Sequence, residues 1–507
     1  MSQFLALRNG TACGCREIPL LEWPEFRRAI LDSVAGGARV AALFGHLPDA
    51  TAPVELYLVL ADRAVGQLFV AKTRIAGDVF PSLTTECPQV HLFEREIAEQ
   101  FALRPEGHPW LKPVRFVSSQ RTGHDAWNRP DDQRITVGVT DFYRVEGGEI
   151  HEVAVGPIHA GVIEPGHFRF QCHGEQVFHL EISLGYQHRG VERALIGGPT
   201  KRTIRYMETL AGDTTVGHAT AYCQAVEALA GCKAPARAQG LRGVALELER
   251  LANHTGDLGA LAGDVGFLPT ASYCGRLRGD FLNMTARLCG SRFGRGLVRP
   301  GGVAFDVEQG RAAQLLANLE TIRRDVASAV NLLWDSSSVM NRLEETGKLS
   351  LEICERLGLV GPAARACGAE CDVRHDFPSG IYRFSQIPVS TAATGDVFAR
   401  AYVRWLEIQR SADFVREQLQ MLAEGSTRKT TGDLAPDKFV VSLVEGWRGM
   451  ICHAAMTDQR GRFARYKVVD PSFYNWTGLA LALRNQQVSD FPLCNKSFNL
   501  SYCGHDL

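Results

Sequence analysis

Between Ala236 and Gly259 the chain repeats apolar residues at helical spacing: Leu241, Val244, Ala245, Leu248, Leu251, Ala252 and Leu258 share one stripe, opposite Arg242, Glu249, Arg250 and Asp257. A helix of that length cannot bury its stripe alone, so it demands long neighbours to pack against. Asp306 to Glu344 and Ala393 to Ala423 repeat the pattern and supply them. A helix-rich core is the consequence.

The rest of the chain reads differently. From Glu149 two strand-like runs, His167 to Cys172 and Gln176 to Ile182, form a β-containing entry to that core. Further upstream, Leu21 to Val34 has helical periodicity, whereas Arg39 to Leu47, Val54 to Ala61 and Gln67 to Ile75 are strand-like. Phe93 to Phe101 returns to a helical pattern, closed by the turn chemistry of Gly107-His-Pro-Trp-Leu. Ser118 to Arg134 is polar and unpatterned, as a linker would be. The expected class is α+β, with a small α+β domain over 1–118, a linker over 119–148 and a large, mainly helical domain over 149–507. Gly301-Gly302, after Arg299-Pro300, is a turn signal and not a phosphate cradle, because no Lys-Ser/Thr pair accompanies it.

With 507 residues and 45% hydrophobic composition the chain can bury the core of more than one domain. A formal net charge of −1 supplies no broad attraction to nucleic acid or anionic lipid. Apolar runs such as Val54 to Ala61 fall far short of the roughly 20 residues needed to span a bilayer. The N-terminus, Met-Ser-Gln-Phe-Leu-Ala-Leu-Arg, lacks a basic segment followed by a long apolar core, so no export signal is expected. The 14 cysteines contain no C-x-x-C pair and read as reduced, largely buried thiols. Cys13/Cys15 and Cys367/Cys371 are close spacings without a second pair, and each reads as structural.

Four separated segments converge on one family. Gly156-Pro-Ile-His-Ala-Gly-Val-Ile-Glu-Pro-Gly-His-Phe-Arg-Phe170, Tyr186-Gln-His-Arg-Gly-Val-Glu-Arg193, His218-Ala-Thr-Ala-Tyr-Cys-Gln-Ala-Val-Glu227 and Val488-Ser-Asp-Phe-Pro-Leu493 together resemble the large subunit of membrane-bound, energy-converting NiFe hydrogenases, formate hydrogenlyase type included. That family is in turn similar to the quinone-site subunit of respiratory complex I. Glu94 to Lys112 resembles the peripheral-arm subunit fused to such large subunits.

The resemblance implies a nickel–iron site held by four cysteine thiolates, two from a C-x-x-C-x-x-x-H loop and two near the C-terminus. Soft thiolates suit such a metal centre better than oxygen donors. Here the first pair falls on Ala211 and Thr214, with His218 retained, and the second, ungapped from Val488, on Ser501 and Gly504. A shift by one residue brings in Cys503 alone. The chain stops at Leu507, leaving little of the C-terminal extension that maturing relatives lose. This chain is therefore expected to bind no cofactor itself.

By the same resemblance Glu192 matches a proton-relay glutamate and Arg448 an arginine that overhangs the metal, while His218 and His453 keep family positions and Trp447 replaces a proline. Buried charges need partners, so Glu192 and Arg448 should pair with each other, with Asp213 or with water. His159, Glu164, His167 and His188 lie in the two segments that the resemblance places beside the cavity, where structural and proton-handling roles both remain open. The quinone-site relatives bind a quinone headgroup in the matching cavity, but their tyrosine falls near Gly212 here. The implied function is a large subunit of an oxidoreductase complex, NADH-linked by family association. Its partners would be an iron–sulfur small subunit and membrane-embedded, proton-translocating subunits on the cytoplasmic face of the inner membrane, with nucleic acid excluded. A redox-silent scaffold joining peripheral and membrane arms is the alternative.

Overall fold

A computed structural model describes residues 3–49, 52–130, 132–159 and 163–507. Ala160, Gly161 and Val162 of the first family segment lie outside the described residues. The chain is α+β. The Ala236–Asp264 helix is the central post, packed along Leu268–Cys289 and Val397–Gln420, with Gln309–Trp334 outside them. Its polar stripe is not on the surface, because Arg242, Glu249, Arg250 and Asp257 are all buried. Such a helix has no wet side, and each of these charges needs a protein partner.

At the N-terminus Leu5–Leu7, Gln67–Arg74, Glu55–Asp62 and Arg39–His46 lie side by side in one antiparallel sheet, accompanied by the helices Trp23–Ala35 and His91–Phe101. The expected strands and helices of this unit are found within two residues of the predicted ends. Ile150–Val155 joins His167–His173 and Gln176–Ser183 in a three-stranded sheet. The polar stretch between them has no helix or strand, yet it is tied down: Gln120 N–H donates to Gln100 O at 2.7 Å and Tyr143 N–H to Glu181 Oε2 at 2.8 Å. Val298–Arg299 and Gly302–Val303 pair across the Pro300-Gly301 turn, as the glycines suggested.

The sequence reading omitted a second sheet in the large domain. Lys438–Gly446, Gly449–Thr457 and Phe463–Val469 form it, and Ala12–Gly14 from the N-terminal unit adds a fourth strand. Helix covers one face and the N-terminal unit the other. Val440, Val444, Ile451, Ala455, Tyr466 and Val468 join the helical core, while Phe439, Val441, Leu443, Met450, Cys452 and Ala454 join the core of the N-terminal unit. Burial on both faces removes the polar alternation that marks a half-wet strand, leaving a continuous apolar run.

Candidate functional site

The site forms where the Thr215–Leu229 helix begins, against the helical face of this second sheet. No side chain of its own caps that helix. Instead Glu249 of the central helix accepts the Val216 N–H at 2.7 Å and the Gly217 N–H at 3.1 Å, satisfying two donors that a helix start leaves open. Burial and the nearby Asp213 charge push the Glu249 carboxyl up to about 8 against those hydrogen bonds.

Arg448 sits in the turn between the first two strands of the sheet. Gly361 lies against that turn at φ +66°, where an added Cβ would come 2.1 Å from Arg448 O. The guanidinium reaches Asp213 Oδ1 at 2.6 Å and Oδ2 at 2.7 Å, and Thr214 Oγ1 at 3.2 Å. It also stacks on Trp447, 3.8 Å from the ring centroid, and Trp447 Nε1–H donates to Asp213 O at 3.0 Å. Burial alone would raise the Asp213 carboxyl, but the Arg448 charge outweighs it and holds it below the usual range. The expected Arg448 to Asp213 pairing is therefore present.

His218, one turn into the helix, opens a second arrangement. Its Nε2 lies 3.0 Å from Asp470 Oδ2 and its Nδ1 lies 3.1 Å from His453 Nε2. His453 Nδ1 in turn lies 3.0 Å from the Tyr466 hydroxyl. All four residues are at most 1% exposed. Burial tends to raise the Asp470 carboxyl, but the His218 hydrogen bond and the Arg448 charge hold it low. Burial, then the neighbouring His218, keeps His453 far below the usual imidazole range, hence neutral. An ionised Asp470 only accepts, so His218 Nε2–H donates to it. The contacts of His218 with His453 and of His453 with Tyr466 continue the chain, with donor and acceptor in each set by where the imidazole protons lie.

The four family ligand positions border these groups. Ala211 accepts the Thr214 N–H at 2.9 Å in the turn before the helix, and Thr214 Oγ1 faces Arg448. Ser501 Oγ accepts the Gly504 N–H at 2.9 Å, while Ser501 N–H donates at 2.8 Å to Ser472 Oγ beside Asp470. A Cβ on Gly504 would lie 2.6 Å from the Asp470 carboxyl carbon. Burial and Glu164 push the Cys503 thiol up to about 12. A methyl group, two committed hydroxyls, a glycine without space for a side chain and a protonated thiol do not fit a soft-ligand nickel–iron centre.

Glu192 is placed apart from Arg448, on the other face and outer edge of the sheet. It takes Lys467 Nζ at 3.0 Å, Arg465 Nη1 at 3.1 Å and the Val468 N–H at 2.9 Å. Lys467 continues to Glu96 at 2.6 Å, where Arg115 also binds, and Arg465 reaches Gly45 O at 2.9 Å, so the cluster joins the N-terminal unit to the large domain. Burial would raise Glu192, but Lys467, Arg465 and Arg115 overcome it and hold the carboxyl at about 2. His188 Nδ1 meets Asp506 O at 2.7 Å, His159 Nε2 meets Gly166 O at 3.0 Å, and His167 Nδ1 meets Gly156 O at 3.1 Å. Glu164 accepts the Tyr502 N–H at 3.1 Å. These four groups hold backbone, and none of them enters the His218 chain.

The chain is similar in sequence to hydrogenase and complex I subunits. The family model of the respiratory-chain NADH dehydrogenase 49 Kd subunit matches residues 264–437. Carbon monoxide-induced hydrogenase of Rhodospirillum rubrum is 29% identical over 350 residues, covering 69% of this chain and 97% of that protein. Formate hydrogenlyase subunit 5 of Escherichia coli is 28% identical over 434 residues, 83% of this chain and 76% of its own. An NADH-quinone oxidoreductase subunit of Solibacter usitatus is 28% identical over 319 residues, 62% of this chain and 86% of that protein.

Sequence reasoning had not singled out Asp470 or Tyr466. Asp470-Pro471 opens the Pro471–Ala482 helix, with Asp470 accepting the Ser472 N–H at 2.8 Å. An aspartate before proline at a helix start was a readable capping signal. It revealed a cap and not the second bond to His218. Tyr466 carried no such signal.

Proposed function

We propose that this chain is the large subunit of a membrane-associated oxidoreductase complex of the hydrogenase and complex I kind, that it lacks a nickel–iron centre, and that it couples electron transfer to proton movement. The observation that carries this reading is the buried Tyr466, His453, His218, Asp470 chain ending beside the Arg448 and Asp213 pair. In this reading a concerted shift along the three hydrogen bonds carries one proton from Tyr466 to Asp470, leaving a tyrosinate and a carboxylic acid, and solvent returns a proton to the phenol, so a charge crosses the site without any side chain travelling. Arg448 then compensates negative charge at the Asp470 end. In this reading the chain docks on an iron–sulfur small subunit and on antiporter-like membrane subunits at the cytoplasmic face. No helix among the described residues is long and apolar enough to cross a membrane. Gly212 offers no phenol to a quinone, so a quinone is not assigned to the cavity.

The Glu192 cluster favours a second reading, a redox-silent scaffold whose buried charges join two arms. Tyr466→Phe and His453→Gln in the assembled complex separate the two. Coupling predicts a fall in protons translocated per electron, together with slower electron flux. Unchanged values in both variants establish the scaffold instead.

A further inference from the structure

On the far side of Trp447 lies a larger set of buried charges that the relay does not use. Glu247, Asp372, Glu407 and Glu445 meet Arg250, Arg365 and Arg374, with His254 at one end, and all eight are between 0% and 3% exposed. Arg365 bridges Glu445 at 2.8 Å, Glu407 at 2.6 Å and Asp372 at 3.7 Å. Arg374 joins Asp372 at 2.6 Å to Glu247 at 3.0 Å, and Arg250 joins Glu247 at 3.0 Å to Glu407 at 3.3 Å. Four carboxylates face three guanidiniums. Fully ionised, with His254 neutral, the set carries one uncompensated negative charge in a dry interior, which is costly unless a proton cancels it.

The hydrogen bonds leave room for that proton. His254 Nε2 contacts Glu407 Oε2 at 2.8 Å, but His254 Nδ1 has no partner. Arg365 Nη2 and Glu407 Oε1 are close in space without the angle of a hydrogen bond, so both atoms remain unsatisfied, as does Arg365 Nε. Burial holds His254 down at about 4, which directs the proton to a carboxyl. Glu445 and Glu407 each accept two hydrogen bonds, but Glu445 takes only one from the set, Arg365 Nη1 on one oxygen, its other oxygen taking the Val373 N–H at 3.0 Å. It also faces Asp372, whose negative charge disfavours a second one beside it. Arg250 and Arg374 lie on its other sides, and Asp376, paired with His375, accepts the Asp372 N–H at 3.0 Å at the mouth of the cluster.

Water has a way in. A cleft of about 200 Å³ between the N-terminal unit and the large domain is lined by Arg39, Cys371, Asp372, Asp376 and Glu445. Glu445 is thus the member of the cluster that touches both the cleft and the hairpin bearing Trp447 and Arg448, and Arg250 binds that hairpin at Glu445 O and Gly446 O.

We infer that this cluster is a proton-storage site: one proton passes from cleft water to the Glu445 carboxylate, which becomes a neutral carboxylic acid, and no electron moves. The inference stands apart from the His218 chain, because the proton count holds whether or not that chain conducts.

Infrared spectra of the purified full chain test it. At neutral pH the wild type should show a carboxylic acid C=O band that moves on deuteration and with isotopically labelled glutamate. Glu249, pushed up to about 8, contributes to the same region, so Glu445→Gln should lose one component of that band and keep another, and Glu192→Gln, whose carboxylate is held ionised by cations, should keep both. Wild-type and Glu445→Gln spectra that superimpose in this region overturn the proposal. Should Glu445→Gln fail to fold, Asp372→Asn decides. Removing the adjacent negative charge must make the glutamate band bleach at lower pH than in the wild type, and an unchanged bleaching pH counts against Glu445 as the holder.

Discussion

The two faces of the Lys438–Val469 sheet handle charge in opposite ways. On the side of the N-terminal unit, Glu192 and Glu96 are enclosed by Lys467, Arg465 and Arg115, so both carboxylates are committed to cations. On the helical side, His218, His453 and Tyr466 are linked in series to one carboxylate. A carboxylate among three cations gives up its charge only in strong acid, whereas the other chain links a buried phenol through two imidazoles to a carboxylate held low by its His218 hydrogen bond and the Arg448 charge. The residue that matches a relay glutamate is therefore a clamp between two parts of the chain, and the proposed proton path runs through His218 on the opposite face.

Breaking the clamp should have the largest effect. Glu192→Ala leaves Lys467 and Arg465 short of a buried partner and should lower unfolding free energy by about 3–5 kcal/mol in denaturant titration. The same group sets an acid limb. Its folded value, about 2, lies below its ordinary 4.5, so its contribution is full above pH 4.5 and is lost as pH falls towards 2. Glu192→Gln should lack that component of the pH dependence. A wild-type acid limb in Glu192→Gln would return Glu192 to the relay.

On the other face, His453→Gln interrupts the chain and should slow coupled proton transfer in the assembled complex by about 100-fold. A stability loss of only about 1–3 kcal/mol should accompany it, from one unsatisfied buried neighbour. Gly504→Ala forces a methyl group against Asp470 and should destabilise by about 1–3 kcal/mol, shifting the thermal midpoint down. The smallest effect is expected for Thr214→Val, which removes one of Arg448's acceptors while the two Asp213 bonds and the Asn499 O bond remain, at about 1 kcal/mol.

The N-terminal strands were legible as runs rich in Val, Leu and Phe between turn residues, and the long helices by the spacing of their apolar residues. In the second sheet Phe439-Val-Val-Ser-Leu-Val444, covered on both faces, has no polar alternation to separate it from a buried helix segment. The charged stripe of the central helix was readable as a stripe, but not as an interior one. Arg250 and Glu249 find their partners in segments far along the chain, and nothing local reports that. His218 and the Arg448 to Asp213 pair were recoverable from motif and charge balance. Asp470 and Tyr466 were not, because their function arises from contacts across 252 and 13 residues with side chains that have other local reasons to exist.

Metal analysis of the purified complex, run beside a hydrogen–deuterium exchange assay, bears most directly on the central claim that proton chemistry persists around a site whose donors cannot hold nickel and iron. The account predicts substoichiometric nickel and no exchange between hydrogen gas and solvent. One nickel per chain together with such exchange would contradict it.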